Sequence, residues 1–136
     1  MHQRLLVRLA GLIAGAATLL PTGRAENGSA PTRPVYVIPI HGQIERALVY
    51  AVRRGADEAR RAQAAAVILD MDTPGGRLDA AEELIAILTG LKMPTYTFVN
   101  PNAISAGAII AMATDHIYMS PAGRIGDAMP ILMSPL

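Results

Sequence analysis

The sequence predicts an α/β fold built on a parallel sheet, and three features predict it. Short apolar, β-rich runs alternate with helical periodicity in the order β-α-β-α-β-α-β. The two most distinctive turns follow strands rather than helices, and nothing repeats at a fixed period. Such alternation sets strands side by side in parallel, joined by right-handed crossovers, with helices on the sheet. In open parallel sheets ligands gather at the carboxyl ends of the strands. The turns at residues 72–76 and 100–107 are therefore expected on the functional edge.

Each element has its own warrant. Val35-Tyr36-Val37-Ile38-Pro39-Ile40 is a short apolar run suited to a buried strand, ended by His41-Gly42. From Ile44 to Ala66 the pattern is helical, with Ile44, Leu48, Val52 and Ala59 near one face and charged residues opposite. Val67-Ile68-Leu69 is the second strand, running into Asp70-Met71-Asp72 and the turn Thr73-Pro74-Gly75-Gly76. Asp70 and Asp72 are expected on opposite faces, which argues against a paired acid/base dyad. Asp79 to Leu91 is the second helix, with Ala81, Leu84, Ile85 and Leu88 at helical spacing. Pro94 ends it, because the residue before a proline disfavours helical geometry. Thr95 to Val99 is the third strand. Asn100-Pro101-Asn102 is expected to turn the chain into a third helix, Ser105 to Ala113. His116 to Met119 is the fourth strand, and Pro121-Ala122-Gly123 another turn.

With 136 residues there is room for one domain. Residues 1–25 have the build of a signal peptide: a basic start at His2, Arg4 and Arg8, an uncharged run from Leu9 to Leu20, then small residues around Gly23 and Ala25. That run is shorter than the roughly 20 residues a spanning helix needs; an uncleaved anchor is the alternative. Residues 26–34 are a linker rich in Gly, Ser, Pro and Thr, and residues 35–136 form the domain. Export to a periplasmic or other extracytoplasmic, membrane-associated location follows from this reading.

The absence of cysteine excludes disulfides, thiolate zinc sites and a cysteine nucleophile. A net charge of +1 is not that of a nucleic-acid binder. Arg53-Arg54 and Arg60-Arg61 are interleaved with Asp57 and Glu58, which on a helix makes ion pairs along a solvated face. The three histidines are dispersed, no metal-ligand spacing occurs, and no glycine-rich phosphate loop is present, so no metal or cofactor is expected.

Ser105-Ala106-Gly107 opens an apolar helix directly after a strand and a turn. A serine there sits where unpaired backbone N–H groups concentrate, which suits a nucleophile whose attack creates an oxyanion. The N–H of Ala106 is one candidate donor, and the Gly75-Gly76 turn, lacking side chains, is the source of a second. Taken singly, a serine in the place of Ser105 is most often just a helix N-cap, by roughly three to one, and Pro-Gly, as at Pro74-Gly75, is most often just a type II turn.

Together, Asp72-Thr73-Pro74-Gly75-Gly76, Ser105-Ala106-Gly107, His116-Ile117-Tyr118-Met119-Ser120-Pro121 and Ile125-Gly126 resemble the Clp/crotonase superfamily. The closest resemblance is to its NfeD-type membrane-bound serine proteases, and it extends from residue 35 to about residue 131. It implies a Clp/crotonase-like parallel sheet, incomplete at the C-terminus. It implies Ser105 as nucleophile, with the backbone of Gly75, Gly76 and Ala106 as oxyanion donors. It implies a buried neutral lysine as base, a homo-oligomer at full length, and substrates among hydrophobic stretches of membrane-associated proteins, notably stomatin-like ones. The sequence departs from this pattern in one respect. The family's lysine lies well after the serine, whereas Lys92, the sole lysine here, precedes it at a helix end. His41 and His116 are expected in structural roles. Weak or absent activity is expected of this chain taken alone. Two other readings compete with the serine endopeptidase: a non-catalytic module that binds a membrane partner, and a crotonase-like acyl-CoA enzyme. The signal peptide and Ser105 disfavour the last.

Overall fold

The structure, a computed structural model, describes residues 32–129. The expected signal peptide, most of the linker and the tail from Pro130 to Leu136 lie outside the described residues.

Five strands and three helices follow one another as β1 (Val35–His41), α1 (Arg46–Arg61), β2 (Ala66–Thr73), α2 (Leu78–Thr89), β3 (Thr95–Ile104), α3 (Ala106–Met112), β4 (His116–Met119) and β5 (Arg124–Gly126). The strands form one sheet in the order β1-β2-β3-β4, every pair parallel, with β5 beside the far end of β3. The expected parallel α/β architecture is therefore present.

Alternation along the strands decides which face is covered. Ile38 and Ile40 of β1, Val67, Leu69 and Met71 of β2, and Val99 of β3 are buried. They form one core with Val49, Val52, Ala56 and Ala59 of α1, Ala80, Ala81, Leu84 and Leu88 of α2, and Ile110 of α3. Ala56, Ala59, Ala80 and Ala81 on the helical side let the helices lie close to the sheet. The residues between these along the strands point the other way, and among them Val37, Phe98 and Tyr118 are exposed. Period-2 geometry makes this division unavoidable once one face is chosen. Truncating a fully buried side chain such as Leu84 costs about 2–5 kcal/mol by loss of transfer energy and cavity formation.

Three expectations need correction. Helix α1 stops at Arg61 rather than running to Ala66. Gln63 takes a positive φ of 49°, and the Arg33 guanidinium holds the carbonyls of Gln63 and Ala64, freeing Ala66 to start β2. Asn100-Pro101-Asn102 is not a turn, because β3 continues to Ile104. Register passes from Met71↔Val99 to Thr73↔Ala103, so three residues of β3 stand against one of β2 as a bulge. Beyond it, β5 gives β3 a partner at Asn102, Ala103 and Ile104. Asp70 and Asp72 lie two residues apart on one strand and therefore share a face, both half-buried. They still form no dyad: Asp70 pairs with His41, and Asp72 accepts a hydrogen bond from Asn102.

The arginine pairs behave as solvated charges. Arg60 meets Asp57, Arg54 meets Glu58, and Arg53 reaches across to Glu83 of α2, all exposed and each worth little.

Candidate active site

The carboxyl ends of β2 and β3 bring together the segments singled out in the sequence. Ser105 is the residue between β3 and α3. Its backbone, at φ 54° and ψ −121°, lies in a region that side chains rarely occupy, while its N–H is anchored to Gly126 O at 2.9 Å. The Ser105 carbonyl accepts from Ala108 N–H at 3.0 Å, but its side chain makes no capping hydrogen bond. An N-cap serine has extended backbone and spends its hydroxyl on the helix. Ser105 does neither.

The Pro74-Gly75-Gly76 turn is fastened to the segment after β1. Ile44 N–H donates to Gly75 O at 2.9 Å, and Arg77 N–H donates to Ile44 O at 2.8 Å. A positive φ of 101° at Gly75, directly after a proline, is what a type II turn requires. At Gly76 an added Cβ would collide with the Ile44 backbone, so this position too admits only glycine.

The candidate donors differ in whether their N–H groups are already engaged. The Gly75 N–H is engaged, donating to Thr73 Oγ1 at 3.0 Å. The N–H groups of Gly76 and Ala106 have no acceptor among the described residues. The C=O and N–H of a trans peptide point in opposite directions. Since Gly75 O is held by Ile44, the Gly76 N–H faces away from Ile44.

A cleft of about 410 Å³ adjoins this edge, lined by Asp72, Pro74, Asn102, Ile104 and Arg124. Asn102 Nδ2 donates to Asp72 Oδ1 at 2.9 Å across its floor. Asn102, expected in a turn, lies in β3, and Thr73, expected only as part of a turn, ends β2. The available signal was a hydroxyl in register with Val67, Leu69 and Met71 on the buried face of β2.

No candidate base touches Ser105 among the described residues. Lys92 lies before β3, beside Arg33, Arg60 and Met93, and β3 with its ten residues separates the two by about 30 Å. His41 Nε2 is 3.1 Å from Asp70 Oδ2, and His116 stacks on Tyr96 at the start of β4. Among the described residues no three His, Cys, Asp or Glu side chains converge as a metal site, and no helix is long and apolar enough to cross a membrane.

The family model for the NfeD1b N-terminal domain matches residues 34–134, nearly all of the described chain. The chain belongs to this family. It is 40% identical over 102 residues to the membrane protein NfeD1b of Bacillus subtilis, covering 75% of this chain and 23% of that protein. It is 38% identical over 101 residues to the membrane-bound protease PH1510 of Pyrococcus horikoshii, again covering 23% of the relative. Among solved structures it is similar to a lysine-to-alanine variant of the 1510-N membrane-bound stomatin-specific protease in complex with a substrate peptide. That similarity has 36% identity and a TM-score of 0.71, and covers 75% of this chain and 48% of the other. ClpP1 from Listeria monocytogenes, at 18% identity and a TM-score of 0.54, shares the fold, covering 57% of this chain and 46% of that one. The chain thus has a ClpP-like fold. The chain spans about a quarter of the length of these curated relatives and about half of the solved chains.

Proposed function

We propose that this chain carries the nucleophile and oxyanion hole of an NfeD-type serine endopeptidase. The observation that carries the reading is the meeting of Ser105, in its strained backbone and with a side chain unused by the helix, with the diglycine turn. Ser105 Oγ attacks the scissile carbonyl carbon and gives its proton to a general base. The carbonyl oxygen becomes an oxyanion that accepts from the N–H groups of Gly76 and Ala106. Collapse breaks the C–N bond, the proton passes to the leaving amine, and water hydrolyses the acyl-enzyme. Gly75 contributes by close approach rather than as a donor, because its N–H is already engaged.

The base in this reading is a neutral lysine. An ordinary lysine, with a pKa near 10.4, is charged at pH 7 and accepts no proton, so burial must lower it. Lys92, exposed and at the far end of β3 from Ser105, does not fill that role. The alanine-for-serine and alanine-for-lysine variants solved for the related protease support the pairing. Taken alone, this chain then turns over peptides slowly or not at all. By analogy with the stomatin-specific relative, substrates are hydrophobic segments of membrane-associated, stomatin-like proteins. On this reading the protein acts as an exported, membrane-associated homo-oligomer.

Exposure to a fluorophosphonate followed by peptide mass spectrometry tests the nucleophile. An adduct on Ser105 that is lost in Ser105→Ala supports the reading. An unmodified Ser105 would leave an inert module that binds a membrane partner.

A further inference from the structure

We propose that Thr73 is a positioning residue: its buried hydroxyl holds the Gly75 N–H, leaving the Gly76 N–H as the diglycine turn's donor to a substrate oxygen. This rests on the oxyanion-hole reading above and adds to it the residue that sets the hole's shape.

Thr73 ends β2 and is fully buried, on the face where Val67, Leu69 and Met71 are purely apolar. Packing there asks only for a β-branched side chain, and valine has the same shape. The hydroxyl does something valine cannot. It donates to Gly42 O at 2.6 Å and accepts from Gly75 N–H at 3.0 Å, tying the end of β1 to the turn. Its methyl lies against Gly107, where an added Cβ would collide with it, so the same side chain also touches the first turn of α3. Its backbone pairs with Ala103, two residues before Ser105. One side chain therefore contacts the segments bearing both free donors.

With the hydroxyl gone, Gly75 N–H is a buried donor with no acceptor, a state that proteins avoid by local rotation. Rotation of the peptide before Gly75 displaces the next one, whose N–H is that of Gly76. Donor placement matters over fractions of an ångström, because an oxyanion donor acts only where charge develops.

The test compares two ligands of one apolar sequence on the full chain: a peptide boronic acid, which forms a tetrahedral adduct with serine Oγ, and the matching carboxamide. Thr73→Val is expected to weaken boronate binding about tenfold to hundredfold while changing carboxamide binding less than about threefold. Thr73→Ser, which keeps the hydroxyl, is expected to restore most of the boronate affinity. A purely structural role would weaken both ligands alike. Equal boronate affinity for Thr73→Val and the parent, with Ser105 still labelled by the fluorophosphonate, overturns this inference alone. Should the parent prefer boronate no more than Ser105→Ala does, the oxyanion reading fails and this inference fails with it. If Thr73→Val does not fold, amide spectra of the parent decide. Boronate should shift the Gly76 and Ala106 amides and leave Gly75 in place; a Gly75 shift as large as that of Gly76 overturns the proposal.

Discussion

No side chain fits between Gly75 and Ser105: a Cβ on Gly75 would lie 2.7 Å from Ser105 Cβ, 3.2 Å from its Oγ and 2.9 Å from Ile104 O. Two segments thirty residues apart in the chain thus share one spot at the carboxyl edge of the sheet. Parallel pairing of β2 with β3 produces this, because adjacent parallel strands deliver their carboxyl ends to the same side.

Gly75→Ala puts a methyl into that contact and imposes φ 101° on an L-residue. We expect a loss of about 2–4 kcal/mol from the clash and the strained backbone together, read as a lower urea midpoint at unchanged slope. Fluorophosphonate labelling of Ser105 should fall at least about tenfold, as expected when reacting groups are displaced by an ångström. Labelling and stability both equal to the parent would mean that the two segments are farther apart than described.

Ser105→Gly should act in the opposite direction on stability. At φ 54° and ψ −121° a serine is held against its own preference, at a cost of about 1–3 kcal/mol. Glycine adopts this geometry freely, though its greater freedom when unfolded offsets part of the gain. A net stabilisation of about 1 kcal/mol is expected, together with complete loss of labelling, whereas Ser105→Ala should show the loss without the gain. A glycine variant less stable than the alanine variant would remove strain from the argument.

The order of elements was legible because apolar periodicity is local: three residues such as Val67, Ile68 and Leu69 announce a strand wherever the chain places them. Ser105 and the two glycines were legible as candidates for the same reason. Their meeting was not, since it depends on register, and register was obscured by the bulge at Asn100-Pro101-Asn102. Turn-forming residues there read as a turn, yet β5, a three-residue strand with no apolar run to mark it, extends β3 past them. The occupied N–H of Gly75 was equally hidden. It depends on a threonine whose burial follows from its place in the alternation of β2, while its sequence neighbours suggest only a turn.

Acid should unfold the domain partly through Asp115. Its carboxylate accepts from the Thr95 N–H at 2.7 Å and the Thr95 hydroxyl at 2.9 Å, and these bonds, the N–H first, hold its pKa below the usual carboxylate value. A depressed folded pKa adds stability that is fully present above the unfolded value, near 3.9, and is lost as pH falls through the folded value. Urea midpoints should therefore drop more steeply below about pH 4 for the parent than for Asp115→Asn, the two curves converging at the acid end. Asp79, held at about 2 chiefly by its hydrogen bond from Arg77, titrates with the same sign, so Asp79→Asn serves as the control. Parallel curves for parent and Asp115→Asn would rule out this contribution.

The open face of the sheet should tolerate polar substitution in this chain. Val37, Phe98 and Tyr118 are exposed there, around a shallow cavity of about 460 Å³ that Ile68 and Tyr96 also line. Replacing Val37 or Tyr118 by threonine keeps a strand-forming residue and removes little buried area, so each change should cost under about 1 kcal/mol. The fluorescence of a hydrophobic-surface dye should fall in step. Losses of several kcal/mol would mean that this face is packed rather than open.

Lys92 provides the sharpest check on where the base comes from. It lies exposed at the amino-terminal edge of the sheet, beside Arg33 and Arg60. A base must also come within hydrogen-bond reach of the proton it removes, and the length of β3 stands between Lys92 and Ser105. Lys92→Gln is therefore expected to leave the rate of fluorophosphonate labelling at Ser105 within about twofold of the parent across pH 6 to 9. If labelling instead collapsed, and the parent's rate rose with pH through a single ionisation that the variant lacks, Lys92 would be the base. The sheet would then have to bring its two edges together, by a second copy or otherwise, because within one chain the strand is too long to allow it.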